Sequence, residues 1–170
     1  VMRFADALEL DRFHLAGHSV GTCIAARVHQ THPGRLLSLT LAEAVIGNGT
    51  SPDDEKENML VARARDLEEM GPEEFAMRRT PNSLSPNAEP EAVAAAVEFA
   101  QGMRVPGYLK LFGALVRANM FKYVEALQVP AMIVAGSDDK SAPEKFVREI
   151  AEAFPGIRYE IIEGIGLSLI

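Results

Sequence analysis

Apolar residues along this chain fall into two patterns: short, nearly continuous runs that read as strands, and stripes spaced by three and four that read as helices. Residues 2–10 carry Phe4, Ala5 and Leu8 on one predicted helical face, and Asp11-Arg12 breaks the run. Residues 13–16 are an apolar strand, and residues 20–31 a helix of small residues stopped by His32-Pro33-Gly34. Residues 35–44 are again of strand length and almost wholly apolar, as in a parallel strand covered on both faces. From 50 to about 127 the pattern turns helical. A first helix is expected to open at Ser51-Pro52-Asp53-Asp54, with serine as cap, proline at the first position and acids in the first turn. It is expected to stop at Met70-Gly71-Pro72. A polar, proline-dotted loop (80–90) precedes a second helix with Ala92, Val93, Ala96, Val97 and Ala100 at helical spacing. A third, after Pro106, shows the stripe Tyr108, Leu111, Phe112, Leu115 and Val116. Strand character returns at 129–136. An amphipathic helix (143–154) and an alternating strand (158–162) follow. Strands alternating with helices predict an α/β fold with a mostly parallel sheet.

Gly17-His18-Ser19-Val20-Gly21 lies where the first strand gives way to its helix. This G-x-S-x-G spacing suits a serine held on a strained strand-to-helix turn, its hydroxyl exposed and the helix amides aimed at a developing oxyanion. Glycines two positions either side are expected to let strand and helix pass without clashing Cβ atoms, and Ala25 and Ala26 to keep the helix close to the sheet. The plainer alternative is a glycine-rich turn whose serine only caps the helix.

Residues 10–21 (LDRFHLAGHSVG) resemble the nucleophile-elbow region of the α/β-hydrolase superfamily, and most of all its small cofactor-free esterase, lactonase and carbon-carbon hydrolase members. Thr22 stands where that family usually has a second glycine. The resemblance implies that Ser19 is the nucleophile and the Val20 amide an oxyanion donor. It also implies a partial α/β-hydrolase core, residues 1–47 and 128–170, that supplies the last four strands of the fold, with residues 48–127 as a helical cap. The strands that precede this region in the family lie outside the sequence, so the expectation is an N-terminally truncated chain whose nucleophile strand has an open edge.

The loop Ser137-Asp138-Asp139-Lys140-Ser141-Ala142-Pro143, after a strand ending in Gly136, resembles the family's acid loop. That resemblance assigns the triad acid to Asp139, with Asp138 as the register alternative. Such a carboxylate would hold an imidazole in its reactive tautomer. An aspartate bonding its own turn is the simpler reading. Glu43, at the carboxyl end of residues 35–44, is a second candidate acid, though a solvated strand-end carboxylate is the first expectation. In the family a Gly-x-Gly-His turn delivers the base. Here Gly164-Ile165-Gly166 is followed by Leu167.

The four histidines, at 14, 18, 29 and 32, all cluster around the motif. His18 is expected to pack beside the turn, His14 to be a satisfied strand residue, and His29 and His32 to face solvent. No His/Asp/Glu spacing suggests a metal site, and no cofactor is implied. Five of seven methionines (59, 70, 77, 103 and 120) fall in the helical stretch, which suits either an adaptable apolar pocket or gap filling.

A formal charge of −7 argues against a nucleic-acid partner. No uncharged apolar run approaches the roughly 20 residues of a spanning helix, so no membrane partner is expected either. The single cysteine, Cys23, excludes an internal disulfide and reads as a small buried apolar residue, in keeping with a cytoplasmic protein. The expected partner is a small, apolar, ester-like substrate. The expected function is serine-dependent cleavage of an ester, lactone or related acyl bond, impaired here by the missing histidine. The alternative is a non-catalytic ligand-binding relative.

Overall fold

The computed structural model of the chain describes residues 1–125, 127–154 and 156–167. Four strands, β1 (Phe13–His18), β2 (Leu36–Ala42), β3 (Ala131–Gly136) and β4 (Ile157–Ile162), form one sheet in that spatial order. All three pairings are parallel, with Leu15 opposite Leu39, Leu39 opposite Ala131 and Ala131 opposite Ile157. Because every strand runs the same way, all four carboxyl ends open on one side, where ligands bind in sheets of this kind. β1 is an edge strand of this sheet among the described residues.

Helices cross between the strands: α1 (Met2–Ala7), α2 (Val20–Thr31), α3 (Asp53–Arg79), α4 (Pro90–Gln101), α5 (Val105–Arg117), α6 (Met120–Val124) and α7 (Glu144–Ala153). The core lies between the sheet and α2, α6 and α7. Leu36, Leu39, Leu41 and Ile133 are fully enclosed there with Ala26 of α2, Met120 and Val124 of α6, and Val147 and Ile150 of α7. Ala25 and Ala26 let α2 lie close to β1 and β2, as their size predicts. α3 packs against both α4 and α5 over the carboxyl side of the sheet, and α4 has no fully buried residue.

Several local expectations are corrected. α3 begins at Asp53 with Pro52 as the flanking residue, so Ser51 caps nothing. The backbone does leave helical geometry at Gly71 (φ 75°, ψ 165°), but helix resumes from Pro72 to Arg79, because proline is well suited to a new first turn. Of the face predicted for α1, only Ala5 is buried; Phe4 is 70% exposed and Leu8 is exposed as well. His29 does not face solvent: it is fully buried, and its Nε2 accepts from the Gln128 amide at 3.2 Å. Its place on the inner side of α2 sets this, and burial lowers its pKa. His32 is exposed, and exposed His14 pairs its Nδ1 with Ser38 Oγ at 2.7 Å.

No helix among the described residues is long and apolar enough to cross a membrane. Nor is any group of three or more His, Cys, Asp and Glu side chains among them placed to hold a metal ion.

Candidate functional site

Ser19 sits between β1 and α2 at φ 51°, ψ −123°, a conformation that non-glycine residues rarely adopt. Its amide donates to the Ala42 carbonyl at 2.9 Å, which ties the turn to the end of β2. Gly17 makes the turn possible: a Cβ there would stand 2.3 Å from the Gly21 carbonyl oxygen. Gly21 contributes only its backbone to this crossing, since a Cβ on it would meet nothing within 4 Å. Its expected steric role is thus not observed. The Ser19 side chain makes no capping hydrogen bond, which removes the plain-cap alternative. Instead Thr22 Oγ1 donates to the Ser19 carbonyl at 2.6 Å. Val20 opens α2, so its amide is among those a helix leaves without an internal acceptor.

Ser19 and Val20 line a largely apolar cavity of about 480 Å³ roofed by α3, α4 and α5. Leu167 forms part of its wall, so the chain brings this residue and Ser19 to one space. The Leu167 amide donates to the Ser83 carbonyl at 2.8 Å, and its carbonyl accepts from His18 Nε2 at 2.6 Å. A carbonyl can only accept, so His18 carries its proton on Nε2. His18 thus binds the turn after β4 and leaves the Ser19 hydroxyl alone, and none of the four histidines lines the cavity. Gly166 allows the helical layer to approach this turn, because a Cβ there would fall 2.4 Å from the Ser85 amide nitrogen.

Asp139 does not line the cavity and is 3% exposed. Its Oδ1 accepts from the Ser141 amide (2.7 Å), Ser141 Oγ (2.6 Å) and the Ala142 amide (3.1 Å), the self-bonded turn of the simpler reading. Its Oδ2 is buried without such a partner. Asp138 points elsewhere and accepts from Ser85 Oγ at 2.7 Å.

Glu43 is not the solvated carboxylate first expected. It is 0% exposed, at φ 51°, and its Oε1 accepts from the Gly136 amide at 2.9 Å. Burial, and then the neighbouring Asp139, raise its pKa to about 8. Two ionised carboxylates have no proton to share, which is why Glu43 Oε2 and Asp139 Oδ2 are both orphaned as anions. Once protonated, Glu43 donates to Asp139.

The helical layer contributes a cluster that motif reading did not single out. Tyr108 and Phe112 of α5 stack at 6.4 Å, and Phe75 of α3 meets Tyr108 edge-on at 5.7 Å. The Arg63 guanidinium lies 4.1 Å from the centre of the Phe112 ring and donates to the Tyr108 hydroxyl. The i, i+4 aromatics were legible as a stripe, but nothing local in α3 marked Arg63 as the charged residue turned inward. Of the five helical-stretch methionines, Met103 lines the cavity, whereas Met59 and Met77 are exposed and Met120 is in the core. Cys23 is buried as expected, and burial raises its pKa to about 11.

A family model described as alpha/beta hydrolase fold matches residues 1–166. The chain is 27% identical over 170 residues to "Putative carbamate hydrolase RutD" of Caulobacter sp. (strain K31), covering 95% of this chain and 60% of that protein. It therefore spans about 60% of the length of such curated relatives. Among solved structures, the enol-lactonase from Burkholderia xenovorans LB400 superposes with a TM-score of 0.85 at 23% identity, over 99% of this chain and 64% of that one. A thermophilic esterase from Thermogutta terrifontis superposes with a TM-score of 0.82 at 20% identity, over 96% and 61%. At these identities the likeness is one of fold.

Proposed function

Since the chain belongs to the α/β-hydrolase fold family, we propose that it carries the nucleophile and acid of a serine-dependent hydrolase for an ester, lactone or related acyl substrate. Ser19 is the nucleophile, the Val20 amide an oxyanion donor and Asp139 the acid. The observation that supports this most is the Ser19 backbone at φ 51°, ψ −123°, beside a largely apolar cavity and uninvolved in capping. Strain of this kind persists only where the surroundings impose it, and here it presents a hydroxyl at the head of a helix. Attack on an acyl carbon would place negative charge on the carbonyl oxygen, and the Val20 amide with the α2 dipole is suited to receive it.

Leu167 takes the place of the base. Without an imidazole the serine hydroxyl is a weak nucleophile, so turnover by this chain is slow. Every group in this scheme comes from the chain itself, and the partner is a small molecule of mainly apolar character. The buried single thiol and acidic composition suit a cytoplasmic setting.

Leu167→His tests the reading directly. Positioned acid-base catalysis contributes about 10²–10⁴-fold, so p-nitrophenyl butyrate hydrolysis should rise by at least about 100-fold and vanish again on adding Ser19→Ala. A folded Leu167→His protein that stays silent would overturn it.

The apolar wall completed by Leu167 also favours a second reading, a ligand-binding relative with no chemistry. That version predicts a saturable ligand-induced rise in Tm with no labelling of Ser19 by a fluorophosphonate probe even in the Leu167→His protein.

A further inference from the structure

Arg63 and Arg79 are the charged residues lining the cavity that holds Ser19, and no carboxylate lines it among the described residues. That is notable in a chain of formal charge −7. Neither arginine takes part in any ion pair formed among the described residues. Arg63 is half-buried, and of its five N–H donors one is used there, in the bond to Tyr108. Three rings surround its guanidinium: Phe112 at 4.1 Å, Phe75 at 5.6 Å and Tyr108 at 5.9 Å. They shield part of it from water without offering a counter-charge. Arg79 is exposed at the rim, 5.3 Å from the Phe75 ring, and also borders an adjoining hollow with Lys140.

A guanidinium that is partly desolvated and short of acceptors suits a planar anion that takes two parallel N–H bonds. Rim cations of the same sign would draw such an anion in. Ser19 lines the same cavity, with Leu111 and Leu115 in its wall, so one molecule that joins an anionic group to an acyl group through a short apolar stretch can occupy both ends.

We infer that the ligand of this cavity is an acyl compound bearing a free carboxylate, which Arg63 binds inside the helical layer while the acyl group lies at Ser19. The inference rests on the reading of Ser19 given above for the acyl end alone; the carboxylate end stands on Arg63.

Isothermal titration with monomethyl adipate and with dimethyl adipate separates the two ends. The native chain should bind the monoacid at least 10-fold more tightly than the diester, and this preference should shrink as NaCl is raised from 20 to 200 mM, while diester binding stays level. Arg63→Gln should reduce the preference to about one without weakening the diester more than about threefold. Equal binding of the two compounds by the native chain, or a salt-independent preference, overturns the inference. So does an Arg63→Gln protein that loses both ligands equally, because a packing role alone does that. If Arg63→Gln fails to fold, Arg79→Gln decides the matter: with the rim charge removed the monoacid preference should stay at least fivefold, and its loss there overturns the assignment to Arg63. Fluorophosphonate labelling of Ser19 in the Leu167→His protein, run in parallel, reports separately on the hydrolase reading: a retained monoacid preference in the native chain with no labelling of Leu167→His leaves a carboxylate-binding site and removes the enzyme.

Discussion

Glu43 and Asp139 are buried neighbours at the carboxyl ends of adjacent strands, and Glu43 reaches Asp139 only when it carries a proton. The folded state therefore takes up a proton that the unfolded chain would release near pH 4.5, and keeps it until about pH 8. A group whose pKa is raised on folding stabilises fully below its unfolded pKa, and that stability drains away as pH climbs to the folded value. Urea unfolding should accordingly show stability from this group falling between pH 4.5 and about 8, by at most about 1.4 kcal/mol per unit. Glu43→Gln, which keeps a donor toward Asp139 but cannot titrate, should flatten that slope and be the more stable protein at pH 9. An unchanged slope would show that the two carboxyl groups do not share a proton.

His29 titrates with the opposite sign. Burial lowers its pKa, so the unfolded chain binds the proton more readily, and stability falls as pH drops through the ordinary value of 6.5. His29→Gln should remove an acid-side loss of stability below pH 6.5 while leaving the alkaline limb governed by Glu43 intact.

Gly17 and Gly21 are two glycines of one motif with different sensitivities. Gly17→Ala drives a Cβ to 2.3 Å from a backbone oxygen that has no freedom to retreat. It should cost at least about 2 kcal/mol in urea unfolding, at the upper end of overpacking effects. Gly21→Ala meets open space inside a helix and should be neutral or stabilising by up to about 1 kcal/mol.

The bond from His18 Nε2 to the Leu167 carbonyl joins residues 149 positions apart. His18→Ala should lower stability by about 1 kcal/mol, the usual net worth of one such bond. Amide hydrogen exchange should accelerate at Leu167 and Gly166 and stay unchanged in β2.

Cys23 should be inert. Its thiol is buried and its pKa is raised to about 11, so 5,5′-dithiobis(2-nitrobenzoate) at pH 8 should react at the rate of global opening. Reaction within seconds in native buffer would contradict this.

The parallel strands were legible because they depend on short-range cues, whereas the meeting of Leu167 with Ser19 at one cavity was implied only by the resemblance to the family's base-bearing turn. Gly17 is demanded by local sterics, and continuous apolar runs such as residues 35–44 mark strands covered on both faces. Burial at strand ends was not legible. Glu43 resembles any acid after a strand until β3 lays the Gly136 amide and Asp139 against it, 93 and 96 positions on. His29 was misread for a related reason: α2 mixes small and apolar residues on both its faces, with Ile24 exposed and Thr22 buried, so its pattern does not say which side meets the Gln128 amide. Arg63 belongs to a helix rich in charge on every face. Only the packing of α5 distinguishes it from its solvated neighbours Arg65 and Arg78, each paired with a glutamate one turn away.

The pairing of Leu39 with Ala131 has an evolutionary corollary. Joining strands across so long an excursion costs conformational entropy that grows only with the logarithm of its length, about 0.6 kcal/mol for each doubling. Whole turns of α3, α4 and α5 can thus be gained, lost or exchanged at little expense to the sheet beneath, whereas α6, with Met120 and Val124 in the core, cannot. Selection can redraw the roof, and with it the shape of the cavity, while the floor that carries Ser19 goes on folding as before.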